Sequence, residues 1–324
     1  MKYKYIQKNG QAYYTVEHLE EVQQEMLELL KVVDKLCTEA GIAYWIDGGT
    51  VLGAVRHGGF IPWDDDLDVC LLKADYDILM DKLAAYCQSE PTRFLYYHNS
   101  KYNYWCDYLG TTKFCRVDKY GDRMPLRIDI LAAKVLPDNA EAVQAHRYWG
   151  DWAGLYFYGK AKFYKGLEAI RFANQAEALE QKRIFFAYYN NEFMKQGEVS
   201  EGATKNLLLR KAHGNFAPLE HLPYDDVFPL KRMDFEGLSV SVPNNCKHYL
   251  KASYRNWESL PPEGKRKPLF GYQVTAHLPV QEVYKIADEY LDFLEKWFFV
   301  RHRFSYKVIR SIALLRTKLG LIKY

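Results

Sequence analysis

Trp45-Ile46-Asp47-Gly48-Gly49-Thr50-Val51-Leu52-Gly53-Ala54-Val55-Arg56-His57-Gly58-Gly59-Phe60-Ile61-Pro62-Trp63-Asp64-Asp65-Asp66-Leu67-Asp68-Val69-Cys70-Leu71-Leu72 packs four carboxylates into the five positions from Asp64 to Asp68. Like charge at that density repels itself, and a fold tolerates it only with solvent or a cation between the carboxylates. From Asp66 onward acid alternates with apolar residue and runs into Cys70-Leu71-Leu72, the pattern of a strand entering a core. Side chains two apart on a strand share a face, so Asp66 and Asp68 point the same way, and Asp64 shares their parity. Asp65 falls on the other parity, which gives it a supporting or surface role. An oxygen-only donor set suits a hard ion, Mg²⁺ or Mn²⁺, that keeps several waters and takes its remaining ligands from substrate phosphates.

Upstream, the apolar run 43–46 precedes Gly48-Gly49-Thr50, and Val51 to Val55 reads as the first turns of a helix. A glycine turn at a helix N-terminus exposes backbone N–H groups to an anion, and Thr50 can cap the helix or touch a phosphate. Arg56, after the turn, is placed to meet phosphate oxygens with its guanidinium fork. His57 reads as filling a turn, and Trp63 as packing. Taken singly, an Asp-rich stretch is commonly a solvated loop and Gly-Gly commonly a turn. Their order is what carries chemistry: strand, glycine turn, short helix, then an acid pair on a second strand.

A third acid is available downstream. Arg127-Ile128-Asp129-Ile130-Leu131 is a strand-like run after a break at Met124-Pro125, with one acid between β-branched residues. Asp129 fits as the third ligand; the competing reading pairs it with Arg127 or Arg116, since a lone strand carboxylate needs a partner. Thr112 to Asp118 alternates as a further strand whose polar face could meet substrate.

The segment Gly48 to Asp68, with Arg56-His57-Gly58-Gly59-Phe60-Ile61-Pro62-Trp63-Asp64-Asp65-Asp66-Leu67-Asp68 inside it, resembles the signature of the LicD family of phosphotransferases, which also embraces the fukutin-related ribitol-phosphate transferases. Phe235-Glu236-Gly237, Val242-Pro243, Tyr249-Leu250 and Pro261-Pro262 are similar to a later element of that family, where its Tyr-Gly pair appears here as Tyr254-Arg255. The resemblance runs from about Leu19 to Pro262. It implies an α+β, nucleotidyltransferase-like mixed sheet flanked by helices, with an acid pair and a third acid on a later strand. It further implies a CDP-alcohol donor such as CDP-choline, and a surface polysaccharide or lipid-linked glycan as acceptor, with CMP released. In that scheme Asp66, Asp68 and Asp129 hold the ion, and Asp64 or Asp129 serves as base. Gly48, Gly49, Thr50 and Arg56 meet the donor. Because the Tyr-Gly glycine is missing, substrate identity is not copied from any better-known member. A glycosyltransferase also uses Asp-x-Asp, but after a nucleotide-binding half for which too few residues precede Asp66. A nucleotidyltransferase would share fold and site, and a non-catalytic glycan-binding scaffold could lose the acids that this chain keeps.

Composition agrees with an enzyme. The chain has 324 residues, 26% charged, with an aromatic share of 16% that includes 27 tyrosines, the side chains that line sugar, nucleobase and choline pockets. Six cysteines without Cys-x-x-Cys spacing give neither a zinc site nor a disulfide framework. No signal-like N-terminus and no apolar run of membrane-spanning length occur, so the expectation is a cytoplasmic protein with no nucleic-acid partner. Residues 1–137 read as the catalytic core with an N-terminal helix over 16–40. Residues 138–215 read as a helical insertion, 216–278 as a hairpin and helix belonging to the core, and 279–324 as C-terminal helices. The last 29 residues hold eight of the 44 Lys and Arg and no acid, leaving 36 basic against 41 acidic residues elsewhere. Phe304, Val308, Ile312, Leu315, Leu319 and Ile322 form a stripe flanked by Arg303, Lys307, Arg310 and Lys318. That is equally the arrangement of a basic amphipathic helix peripheral on the inner face of a membrane, through residues 296–324, and of a docked terminal helix with solvated lysines.

Overall fold

The computed structural model describes residues 2–97, 107–118, 121, 123–137, 206–210, 221–254 and 256–289. An eight-stranded mixed sheet organises them, with the path β12-β6-β7-β4-β3 formed by Gly271–Val274, Asp107–Val117, Arg123–Pro137, Asp68–Leu72 and Tyr44–Ile46. Three further strands, β5 (Phe94–Tyr97), β8 (Asn206–Arg210) and β9 (His221–Pro223), extend it through β6 and β7. β4 and β7 run parallel and every other pair in the sheet is antiparallel. With helices packed on it the domain is α+β, as the resemblance implies.

Helix α1 (Leu19–Ala40) explains why the sheet is covered. Leu19, Val22, Met26, Leu29, Leu30, Val33 and Leu36 recur at three and four, and all are buried against β6, β7 and α3 (Lys73–Ser89). Truncating one of these leucines to alanine costs about 2–5 kcal/mol in a close-packed core. Glu25 lies on the same buried face and is satisfied there by the Thr111 hydroxyl and Lys113 Nζ, each at 2.7 Å. Two antiparallel hairpins stand apart from the sheet: β1 and β2 (Lys4–Lys8, Gln11–Thr15), and β10 and β11 (Lys231–Phe235, Leu238–Val242). Helix α2 (Gly48–His57) follows β3; the short α4 (Tyr224–Val227), α5 (Cys246–Tyr254) and α6 (280–289) complete the described helices.

Three expectations change. Met124-Pro125 does not break the strand: β7 runs through both, and Pro125 sits opposite Cys115 where the β6 register shifts after Gly110, a place where a missing N–H is tolerated. Residues 206–210 are not helical but form β8 on β7, and β12 joins the edge of β6, so the sheet draws strands from both later segments. The rest of the 138–215 insertion, and the basic stretch 296–324, lie outside the described residues. Among the described residues no helix is long and apolar enough to cross a membrane.

Candidate active site

The sheet register builds the site. Asp68 opens β4 and pairs directly with Asp129 in the middle of β7, while the Asp129 amide reaches the Leu67 carbonyl at 3.0 Å. On the other side of β4, the Asp47 amide donates to the Asp68 carbonyl at 2.9 Å, which places the start of α2 beside the same row. β4 begins at Asp68 rather than Asp66, so Asp66 lies in the loop entering it, 43% exposed, whereas Asp68 and Asp129 are buried. One carboxylate oxygen from each of Asp66, Asp68 and Asp129 lies within 4.8 Å of the others. Oxygens sharing one octahedral Mg²⁺ stand about 3–4 Å apart, so small rotations suffice to close them on an ion. The all-oxygen donor set fits Mg²⁺ or Mn²⁺.

Two buried arginines hold the ligands from behind. Arg127 Nε is 3.3 Å from Asp129 Oδ1, so the ion-pair partner considered for Asp129 is present together with the triad. Its guanidinium also stacks 3.5 Å above the Tyr108 ring centre. Arg116 Nη2 donates to the carbonyls of Asp65 (2.7 Å) and Arg127 (3.1 Å) and stands 3.5 Å from Asp66 Oδ1. Burial alone would pull the Arg116 guanidinium down, but Asp66, Tyr272 and Asp65 outweigh it and keep it above its ordinary value.

Asp64 is half-buried and faces α2: its Oδ2 stands 3.3 Å from where a Cβ on Gly49 would be. Burial, then the charges of Asp66, Asp65 and Asp68, push its carboxyl well above the usual carboxylate range. Asp65, contrary to a surface role, is buried, and its Oδ2 accepts the amides of Leu269 and Phe270 at 2.9 Å each. It pins a segment two hundred residues away to the back of the acid loop.

The glycine turn differs from expectation in detail. Gly48 is itself the first residue of α2, at φ 52°, a backbone that favours glycine, and Asp47 precedes it as the N-cap. The Gly48 amide is taken by Tyr249 Oη at 3.0 Å, and that hydroxyl donates to Asp47 Oδ1. The Thr50 amide goes to the Asp47 carbonyl at 3.0 Å, which among the described residues leaves Gly49 as the amide the turn offers an anion. Thr50 does not cap: it lies inside α2, buried, and its hydroxyl accepts the Asp68 amide at 3.0 Å. Arg56 Nη1 donates to the carbonyls of Trp257 (2.9 Å) and Ser259 (3.3 Å), which ties the end of α2 to that segment.

Residues beyond the assigned set complete the frame. Glu236 Oε1 accepts the Phe60 amide at 2.9 Å and lies 2.0 Å from where a Cβ on Gly59 would be, so no other residue fits at position 59 without displacing it. Phe60 and Phe235 meet edge to face at 4.9 Å between ring centres. The Phe-Glu-Gly hairpin and the Gly-Gly-Phe turn are therefore one joint, which neither stretch announces separately.

A parallel pair of acid-bearing strands beside a glycine-led helix defines a nucleotidyltransferase-like domain. Residues 41–176 match the family described as LicD/FKTN/FKRP, nucleotidyltransferase domain. It is 24% identical over 269 residues to the lipopolysaccharide cholinephosphotransferase LicD of Haemophilus influenzae, covering 77% of this chain and 95% of that protein. Over 48 residues it is 44% identical to the human ribitol 5-phosphate transferase FKRP, a match covering 15% of this chain and 10% of the relative. An uncharacterized Rickettsia prowazekii protein is 50% identical over 50 residues, 15% of this chain and 19% of that one.

Proposed function

We propose that this chain transfers a phosphoalcohol group, phosphocholine or a similar one, from a CDP-alcohol to a hydroxyl of a cell-surface glycan or lipid-linked oligosaccharide, releasing CMP. The observation that carries this reading is the convergence of Asp66, Asp68 and Asp129 beside the glycine-led start of α2. Those three carboxylates would hold Mg²⁺ or Mn²⁺, which supplies neutralisation of charge on the diphosphate and on the leaving nucleotide. The chain's own groups do the rest. Gly48 and Gly49 keep the space in front of Asp68 and Asp64 free of side chains, and the Gly49 amide meets a phosphate oxygen. Asp64, outside the triad but beside it, takes the proton of the attacking hydroxyl. Arg116 and Arg127, in contact with Asp66 and Asp129, keep those carboxylates aimed.

The nucleotide released separates this reading from its rivals. Phosphoalcohol transfer yields CMP, glycosyl transfer a nucleoside diphosphate, and nucleotidyl transfer pyrophosphate. Incubation with Mn²⁺, CDP-choline or CDP-ribitol and envelope glycans is expected to give CMP; none from any CDP-alcohol, with Mn²⁺ bound, would sink the reading. If the acceptor is carried on a lipid, the basic stretch 296–324 holds the protein at an anionic leaflet. Co-sedimentation with phosphatidylglycerol vesicles, unchanged when Arg303, Lys307, Arg310 and Lys318 become glutamine, would refute that part.

A further inference from the structure

We infer that Tyr254 is a substrate-contacting residue, whose phenol hydroxyl donates a hydrogen bond to a phosphate oxygen of the nucleotide donor in the space fronting Asp64 and Asp68. This rests on the phosphotransfer reading above. Tyr254 is the last residue of α5 and is 40% exposed, so its ring faces solvent in large part. Its hydroxyl lies beside the glycine turn. A Cβ built on Gly48 would meet Tyr254 Oη at 3.5 Å and Asp68 Oδ2 at 3.2 Å; one on Gly49 would meet Asp64 Oδ2 at 3.3 Å and Tyr254 Oη at 4.0 Å. The space that two successive glycines leave open is thus bordered by two carboxylates and by a phenol hydroxyl.

The placement is built rather than incidental. Tyr249, five residues earlier in α5 and fully buried, is bonded to the Gly48 amide and to Asp47, which fixes the helix against the glycine turn. Five residues advance a helix by about 7.5 Å, enough to carry its end past the anchor and over the site mouth. The residue type fits as well. A lysine or arginine here would pair with the carboxylates and compete with a cation for them, whereas a phenol brings a donor without a charge. With carboxylates committed to an ion, the acceptor such a donor meets in front of them is an anionic oxygen brought by substrate.

The test compares wild type with Tyr254→Phe in the full chain. We measure CMP release against donor concentration, CDP affinity in saturating Mn²⁺, the affinity for Mn²⁺ alone, and the melting temperature. Loss of one hydrogen bond to a charged oxygen is expected to raise the donor KM and the CDP Kd about 10- to 100-fold. Mn²⁺ affinity and melting temperature stay within error. Unchanged CDP affinity and donor KM in a variant of an active enzyme would overturn the inference and leave the phosphotransfer reading intact. A loss matched by weaker Mn²⁺ binding or a lower melt would also overturn it, assigning Tyr254 a structural role, as would a rise confined to the acceptor KM. Absence of both CDP binding and CMP release in wild type would instead remove the underlying reading and this inference with it.

Discussion

The carboxylates of the site come from two kinds of backbone. Asp68 and Asp129 are register partners inside the sheet, buried and fixed by ladder bonds on both sides. Asp64 and Asp66 stand in the loop before β4, half-buried, each accepting the amide of the residue that follows it, Asp65 or Leu67, with the Arg116 guanidinium beside Asp66, rather than held by a ladder. The strand pair sets where an ion sits, and the loop pair supplies groups that adapt to what is bound. The largest expected effect separates the two. Asp68→Asn and Asp129→Asn each reduce turnover by at least about 1000-fold with little change in melting temperature, because an amide is a poor ligand for a hard ion. Lengthening distinguishes them further: Asp66→Glu keeps measurable turnover because its loop can shift, whereas Asp68→Glu does not, its Oδ2 already only 3.2 Å from where a Cβ on Gly48 would be. Equal tolerance at 66 and 68, measured as CMP release, would erase the distinction.

Asp65 tests whether the loop is held from outside the sheet. Asp65→Ala leaves the Leu269 and Phe270 amides without their carboxylate acceptor and Arg116 short of a counter-charge, an expected destabilisation of about 2–4 kcal/mol by denaturant unfolding. Mn²⁺ affinity should fall less than in Asp68→Asn. A smaller but related effect belongs to Gly53→Ala: the added Cβ would lie 2.5 Å from the Gly59 carbonyl oxygen, which backbone must yield, at about 1–3 kcal/mol. A neutral Gly53→Ala would show that the turn from Gly58 to Phe60 is loosely seated.

Much of this frame is visible in the chain's own pattern, and what is not visible has a common cause. The period-3.6 stripe from Leu19, the acid–apolar alternation into Val69, and the isolated Asp129 among β-branched residues are local signals, and each marks its element, although β4 starts only at Asp68, two residues into the alternation. Asp65, Tyr249 and Glu236 carry no such signal, because their partners lie about two hundred residues away in sequence and only the folded sheet brings them together. Thr50 and Arg56 fit a phosphate motif as residue types, but their contacts with Asp68 and with residues 257 and 259 have no local signal. Tyr249 shows the same physics, since a buried phenol needs a partner but the sequence does not name it.

His57 gives the smallest effect and one whose sign is fixed. It ends α2, within ring contact of Trp63 at 6.1 Å, with Arg56 Nε 3.4 Å from its Nδ1. Burial first, and then the Arg56 charge, pull its pKa down from 6.5 to about 4. In that window the unfolded chain binds a proton that the folded chain refuses, so stability is whole above pH 6.5 and declines as pH falls towards 4. Because the ring is only half shielded, the loss is about 1–2 kcal/mol rather than the full linkage value. Asp64 has the opposite slope, its raised carboxyl taking up a proton more readily in the folded state, so a single pH titration of wild type mixes the two. The difference between wild type and His57→Gln, followed by denaturant unfolding from pH 7 to 4.5, isolates the imidazole: the variant should lose less stability over that range. A variant that loses as much as wild type would mean that the turn after α2 opens to solvent, and that the loop entering β4 is looser than the strand it feeds.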